Sequence, residues 1–197
     1  MRQEWQQPLN YCIHRGLASS GYVLPCKYYI HGNFNVKLLS NDSPMDFELL
    51  QQKIARRLLS LELRPPIVAQ VTGLNQRYLR AVWAKVHKSS PPRGLTRKSS
   101  GWLIRICDLK DASVFLAILN VITRENPSSE THILHLLEAY DTYTSLFDNC
   151  TLNFPACYML ARDYIHGNVH IEPCPECDIP YIKSIHSKRL FDCPHCK

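Results

Sequence analysis

The sequence predicts a mainly α fold, a helical domain with a helix-turn-helix-like unit, followed by a small C-terminal four-cysteine ribbon. Three observations predict it. From residue 46 onward the apolar side chains recur every three to four positions, the period of helices with one buried face. Ala69 and Gly73, followed by Leu74 and Asn75, give the small-residue, turn and cap order that joins two crossing helices. Two Cys-Pro-x-Cys pairs stand in the last 24 residues, a spacing suited to a metal and not to a disulfide framework.

The 197 residues are 45% hydrophobic and 20% charged, a composition that buries a core. No apolar run reaches 18 residues, and the opening MRQEWQQPLN lacks the basic-then-apolar order of a secretory leader. A soluble, unexported protein is expected. The cysteine count of nine is odd, which places the chain in a reducing cytoplasm. Charge is segregated: residues 46–110 carry 13 basic and 4 acidic side chains, a net +9, while residues 111–169 carry 2 and 7, a net −5. The basic block suits phosphate and the acidic block a protein partner.

Residues 1–45 form a poorly patterned N-terminal extension, read as weak strand or irregular. Cys12, His14, Cys26 and His31 lack the close pairing of a metal site and read as ordinary residues. A helical domain for DNA and partner binding is expected over 46–169. Phe47, Leu50, Ile54, Leu58 and Leu61 step along one helix face behind Asp46 as N-cap, with Lys53, Arg56 and Arg57 on the remaining surface. Pro65 and Pro66 end that helix and start the next, through Ile67, Val68 and Val71. Gly73 makes the turn, and Asn75 caps a third helix with Tyr78, Leu79, Val82, Trp83 and Val86 on its apolar side.

In a helix-turn-helix this third helix reads DNA, through side chains near its start that the core does not need: Asn75, Gln76, Arg77 and Arg80. Asn and Gln pair with adenine, and Arg with guanine or phosphate. A plain helical hairpin would share the pattern; the +9 charge favours DNA. Lys85 and Lys88 extend the basic surface, and the Pro- and Ser-rich segment 87–102, with Arg93, Arg97 and Lys98, is suited to lying along a phosphate backbone. Trp102 and Leu103 return it to the core. Ala112, Phe115, Leu116, Leu119 and Ile122 form the next helical stripe, ended by Asn126-Pro127. Another comprises Ile133, Leu136, Leu137, Tyr140, Thr144 and Phe147, and Pro155 opens a short last helix.

Over 170–197, Cys174, Cys177, Cys193 and Cys196 are spaced to hold one structural zinc, with four thiolates about 2.3 Å from the metal. Such a site is closed, with no open position for catalysis. Tyr181, Ile182 and Ile185 on one side, and Leu190-Phe191 on the other, are expected to supply two strands, with His186, Ser187 and Lys188 at the turn. His170 and His195 read as bystanders. No nucleophile–base pair or phosphate loop is apparent, so the chain is not expected to be an enzyme.

The run from Ala55 to Trp102, the Ser90 to Gly94 segment SPPRG, and the two C-P-x-C knuckles together resemble the FlhC family of bacterial flagellar transcriptional activators over about residues 46–197. The resemblance implies a cytoplasmic DNA-binding activator that works as a heterohexamer with an FlhD-like subunit, binds class II flagellar promoters and recruits RNA polymerase, with no membrane. The four cysteines match the zinc positions of that family. Leu95 is followed here by Thr96-Arg97-Lys98, where the family usually continues with Leu-Pro, so promoter preference is open. Divergent relatives regulate conjugative-transfer genes, and a zinc-dependent protein-interaction adaptor is the competing class.

Overall fold

The computed structural model describes residues 44–94, 99, 103, 106–125, 133–147, 149–184 and 193–196, with the backbone of 28–31 and 35–38. The first two elements among the described residues are an antiparallel hairpin, β1 (Tyr28–His31) and β2 (Asn35–Leu38), with Tyr28 opposite Leu38. This falls in the segment expected to be weak strand.

Helix α1 spans Pro44–Ser60. It starts three residues before the expected first helical position, Phe47, because Pro44 has a fixed φ that suits a first helical position and lacks only an N–H the helix would not use there. Asp46 is therefore inside the first turn and is not the N-cap. Ile54, Ala55, Leu58 and Leu59 are buried, while Lys53, Arg56 and Arg57 are exposed as expected. The helix ends in a Schellman turn: Glu62 takes φ +64, Leu63 N–H reaches Leu58 C=O at 3.0 Å, and Glu62 N–H reaches Leu59 C=O at 3.0 Å. The buried Leu63 supplies the apolar contact that usually accompanies this cap.

Helix α2 (Pro65–Thr72) opens on its two prolines and stops at Gly73, whose φ is +72 and whose N–H donates to Ala69 C=O at 2.8 Å. From α1, the Gln51 side chain donates to Thr72 C=O at 2.8 Å, satisfying a carbonyl that the helix end would leave unpaired. Helix α3 (Gln76–His87) comes next behind Asn75, whose side-chain oxygen accepts from Arg77 N–H at 2.7 Å. The three helices pack on one another around Leu58, Val68, Val71, Leu79 and Trp83. The expected apolar side of α3 is narrower than its sequence suggests. Leu79 and Trp83 are buried, but Tyr78 is 36% and Val86 45% exposed, because a helix lying on two neighbours covers only a stripe of its surface.

Helix α4 (Ile106–Glu125) buries all five residues of its predicted stripe. Helix α5 (Ile133–Leu146) departs from its prediction: Ile133, Leu136, Ala139 and Tyr143 are buried, whereas Thr144 and Phe147 are exposed. Its face runs by threes from 133 and 136 to 139, one step behind the expected stripe. Small Ala139 and the amphipathic Tyr143 hid it. The Tyr143 ring meets Phe115 edge-on at 6.1 Å, and its hydroxyl donates to Asp111 at 2.9 Å, as a buried tyrosine requires. Helix α6 (Phe154–Ile165) starts at Asn153, whose side chain accepts from Ala156 N–H at 3.0 Å.

Two more strands follow among the described residues, β3 (Val169–Pro173) and β4 (Pro180–Ser184), antiparallel with Ile171 opposite Ile182. Tyr181 and Ile182 lie in a strand as expected, and β3 is a partner that the sequence did not suggest. The strand holding Tyr181 and Ile182 is partnered by 169–173, ahead of the first knuckle. Leu190-Phe191, Ile185 and the turn at His186 to Lys188 lie outside the described residues. The first Cys-x-x-C therefore sits at the tip of a β3–β4 hairpin. Val169 and Ile182 are buried in the helical core. Ser113 on α4 accepts from Ile182 N–H at 3.1 Å and donates to Leu109 C=O at 2.7 Å. No helix among the described residues is long and apolar enough to cross a membrane.

Candidate metal centre and basic face

Each knuckle is a short turn that aims backbone N–H groups at sulfur. Glu176 N–H points at Cys174 Sγ and His195 N–H at Cys193 Sγ, each at 3.4 Å, so the two pairs share one geometry. Asp178, at φ +59, donates its N–H to Cys174 C=O at 2.9 Å, and Cys174 N–H returns to Ile179 C=O at 3.1 Å. These bonds close the first turn. The four sulfurs lie within 4.8 Å of one another. Cys174–Cys196 and Cys177–Cys193 are each 3.6 Å apart, far beyond a disulfide bond and near the roughly 3.8 Å edge of a tetrahedron with about 2.3 Å bonds. The donor set fits a soft or borderline divalent cation, and the site could hold one metal ion.

The backbone amides of Cys177 and Glu176 pull the Cys174 thiol from an ordinary 9.0 down to about 7. Cys196, hydrogen-bonded to the Cys177 and Cys174 sulfurs, is pushed up from the same value. Burial, then the nearby Lys110, hold His195 below the usual imidazole range. On the strands beside the site, Glu172 bridges Lys183 and His170, and Lys183 lies 5.5 Å from the centre of the Tyr181 ring.

The second candidate site is α3 together with the basic segment after it. Arg77, Arg80, Lys85 and Lys88 are exposed, and Gln76 is half-buried. Asn75 is exposed, but its oxygen is taken by the cap, leaving only its amide NH2 for another partner. Lys88 closes the helix at φ +53. Beneath these residues Trp83 stacks on His87, with ring centres 4.2 Å apart, and His87 Nε2 meets Leu59 C=O at 2.7 Å. A carbonyl can only accept, so that nitrogen carries the proton. Arg93 is exposed, while Arg97, Lys98 and Trp102 lie outside the described residues. Two groups in this region carry no signal in the sequence pattern. Arg64 donates to Gly94 C=O at 2.6 Å, and buried Asp163 accepts from Ser99 N–H at 3.0 Å and from its hydroxyl at 2.5 Å. Only the rarity of a buried carboxylate could have flagged Asp163, and burial is not visible in a polar pattern.

Comparison with known proteins agrees with this arrangement. The family described as Flagellar transcriptional activator (FlhC) matches residues 43–197. The protein called flagellar transcriptional regulator FlhC from Gallionella capsiferriformans (strain ES-2) is 24% identical over 140 residues, covering 68% of this chain and 76% of that protein.

Proposed function

Because the chain belongs to the FlhC family of flagellar transcriptional activators, we propose that it binds class II flagellar promoters as a hetero-oligomer with an FlhD-like subunit, a heterohexamer in the family pattern, and recruits RNA polymerase from the cytoplasm. The observation that carries the reading is α3. It succeeds a glycine turn at the angle-setting position of a helix-turn-helix, its core side is anchored by Leu79 and Trp83, and its outer side presents Arg77, Arg80, Lys85 and Lys88. In this reading Asn75, Gln76, Arg77 and Arg80 face base edges, while Lys85, Lys88, Arg93, Arg97 and Lys98 contact phosphates.

Cys174, Cys177, Cys193 and Cys196 hold one zinc in the same reading. Zinc suits four thiolates and has no preferred geometry to oppose a tetrahedron. The ion contributes folding free energy, and because all four ligands come from the protein it supplies no catalysis. The acidic 111–169 block offers surface to the partner subunit.

The test is co-expression with an FlhD-like protein, purification as a complex, and binding to flagellar and unrelated promoters at fixed salt. Tight, promoter-selective binding with about one zinc per chain supports the reading. Selectivity for conjugative-transfer promoters would move the target operons, an outcome that the Thr96-Arg97-Lys98 departure makes worth measuring. A zinc-loaded protein that ignores both DNA and the FlhD-like subunit would replace the reading with an interaction adaptor.

A further inference from the structure

Ala81 stands two residues after Leu79 and two before Trp83, the side chains that anchor α3 at 0% and 4% exposure. At about 100° per residue it lies roughly 200° round the helix from each of them, so of all positions on α3 it points most directly away from the core. It is exposed, and Arg77 one turn before it and Lys85 one turn after it, on the same side of the helix, are exposed as well. Lys88 extends the same basic border. No acidic side chain on the helix opposes these charges, since α3 reads QRYLRAVWAKVH. The outer face of α3 is therefore a border of long cationic chains about one methyl group.

Alanine is the strongest helix former, and a solvated face can carry it at any position; its place opposite both anchors is what matters. The stems of Arg and Lys carry their cations well beyond the helix, where the walls of a groove would be. The residue at the centre of the face meets the floor first and sets how near the backbone comes, and alanine there keeps the helix nearer than any residue but glycine. An unopposed positive border suits phosphate. A small apolar centre has one counterpart on the floor of the major groove, the C5 methyl of thymine.

We propose that Ala81 is a specificity-determining residue for DNA recognition: its methyl seats against the C5 methyl of a thymine, between Arg77 on a neighbouring base and Lys85 on the backbone. The proposal deepens the reading of α3 as the DNA-reading helix and rests on it. Bulk at this position lifts the whole helix off the base edges, so its effect appears in promoter selectivity and not in the binding of DNA of any sequence.

The experiment uses the full chain co-purified with its FlhD-like subunit, one flagellar promoter duplex and one scrambled duplex. Each thymine of the promoter is replaced in turn by deoxyuridine, which lacks only the C5 methyl. In the wild type, loss of the contacted methyl is expected to cost about fourfold in affinity, the worth of one buried carbon. Ala81→Gly is expected to lose a similar factor on the unmodified promoter and to be indifferent to that one methyl, while the rest of its uracil scan matches the wild type. Ala81→Leu places a strong helix former on a face the core does not need. It is expected to keep its circular dichroism and its affinity for the scrambled duplex, and to lose about tenfold on the promoter, as one mismatched base pair would. A uracil scan in which Ala81→Gly responds at every thymine as the wild type does would overturn the proposal, and so would wild-type promoter selectivity in Ala81→Leu. If the wild type does not tell the two duplexes apart, the reading of α3 fails first and takes the proposal with it. If Ala81→Gly loosens the helix, seen as a fall in circular dichroism, Ala81→Leu decides alone.

Discussion

Asn75 shows how one side chain can be legible as a cap and ambiguous as a reader. Its oxygen accepts the Arg77 N–H at 2.7 Å, so Asn75→Ala should destabilise the fold by about 1 kcal/mol, the usual value of such a cap, measured by denaturant titration. Gly73→Ala should cost a further 1–2 kcal/mol or so: a Cβ there would meet nothing nearer than Gln51 Nε2 at 3.9 Å, so the penalty lies in the φ of +72 and not in a clash. The proposed DNA contacts divide by type. Arg77→Ala should relax preference at one base position at a cost of roughly 1–3 kcal/mol, while Lys98→Ala should weaken all duplexes alike and lower the salt slope by about one. If both behave as phosphate contacts in salt titrations, α3 does not read sequence.

Among elements, those legible in the sequence were the ones whose partners are local in the chain. The 3.6-residue stripe of α4 and the Gly73 turn depend on neighbours a few positions away, and the structure contains both. The α5 stripe was misplaced because Ala139 and Tyr143 do not read as strongly apolar, though burial treats them so. Strand β3 went unread for a different reason: Val169-His170-Ile171-Glu172 alternates, but over only four residues, too short a run to read as a strand until β4 lies next to it. That same alternation sets a pH dependence. Lys183, then His170, hold the Glu172 carboxyl below its ordinary 4.5, so the bridge stabilises the folded state at neutral pH and is lost as pH falls through the lowered value. Glu172→Gln should therefore lower the melting temperature slightly at pH 7. The difference from wild type should vanish in acid below that value, as thermal melts over a pH series will show.

For the whole molecule, the charge segregation and the paired cysteines were readable from composition and spacing alone, whereas the tie between the modules was not. Nothing in the sequence links Ser113 to Ile182 or Ser99 to Asp163, since each pair is far apart in the chain and each contact needs the finished packing. If the four cysteines hold the proposed structural metal, the chain should depend on that ion for more than the ribbon. Chelation, or Cys193→Ser, should abolish both the partner complex and DNA binding, since small metal modules rarely keep their fold without the ion. Size-exclusion chromatography and a promoter-binding assay on metal-free protein will check this, and retention of both activities would contradict it.

The burial of Val169 and Ile182 within the helical core also bears on inheritance. A ribbon tethered by a linker could be exchanged between relatives by recombination, but this one contributes two side chains to the helical core and a backbone N–H to Ser113 on α4. A chimaera joined at the start of β3 would unite halves that had diverged separately, leaving voids or overlaps where Ile182 meets the helix and Ser113 short of a partner. Lineages should therefore transmit the helical body and the ribbon as one unit, with substitutions around Ile182 answered by changes on α4.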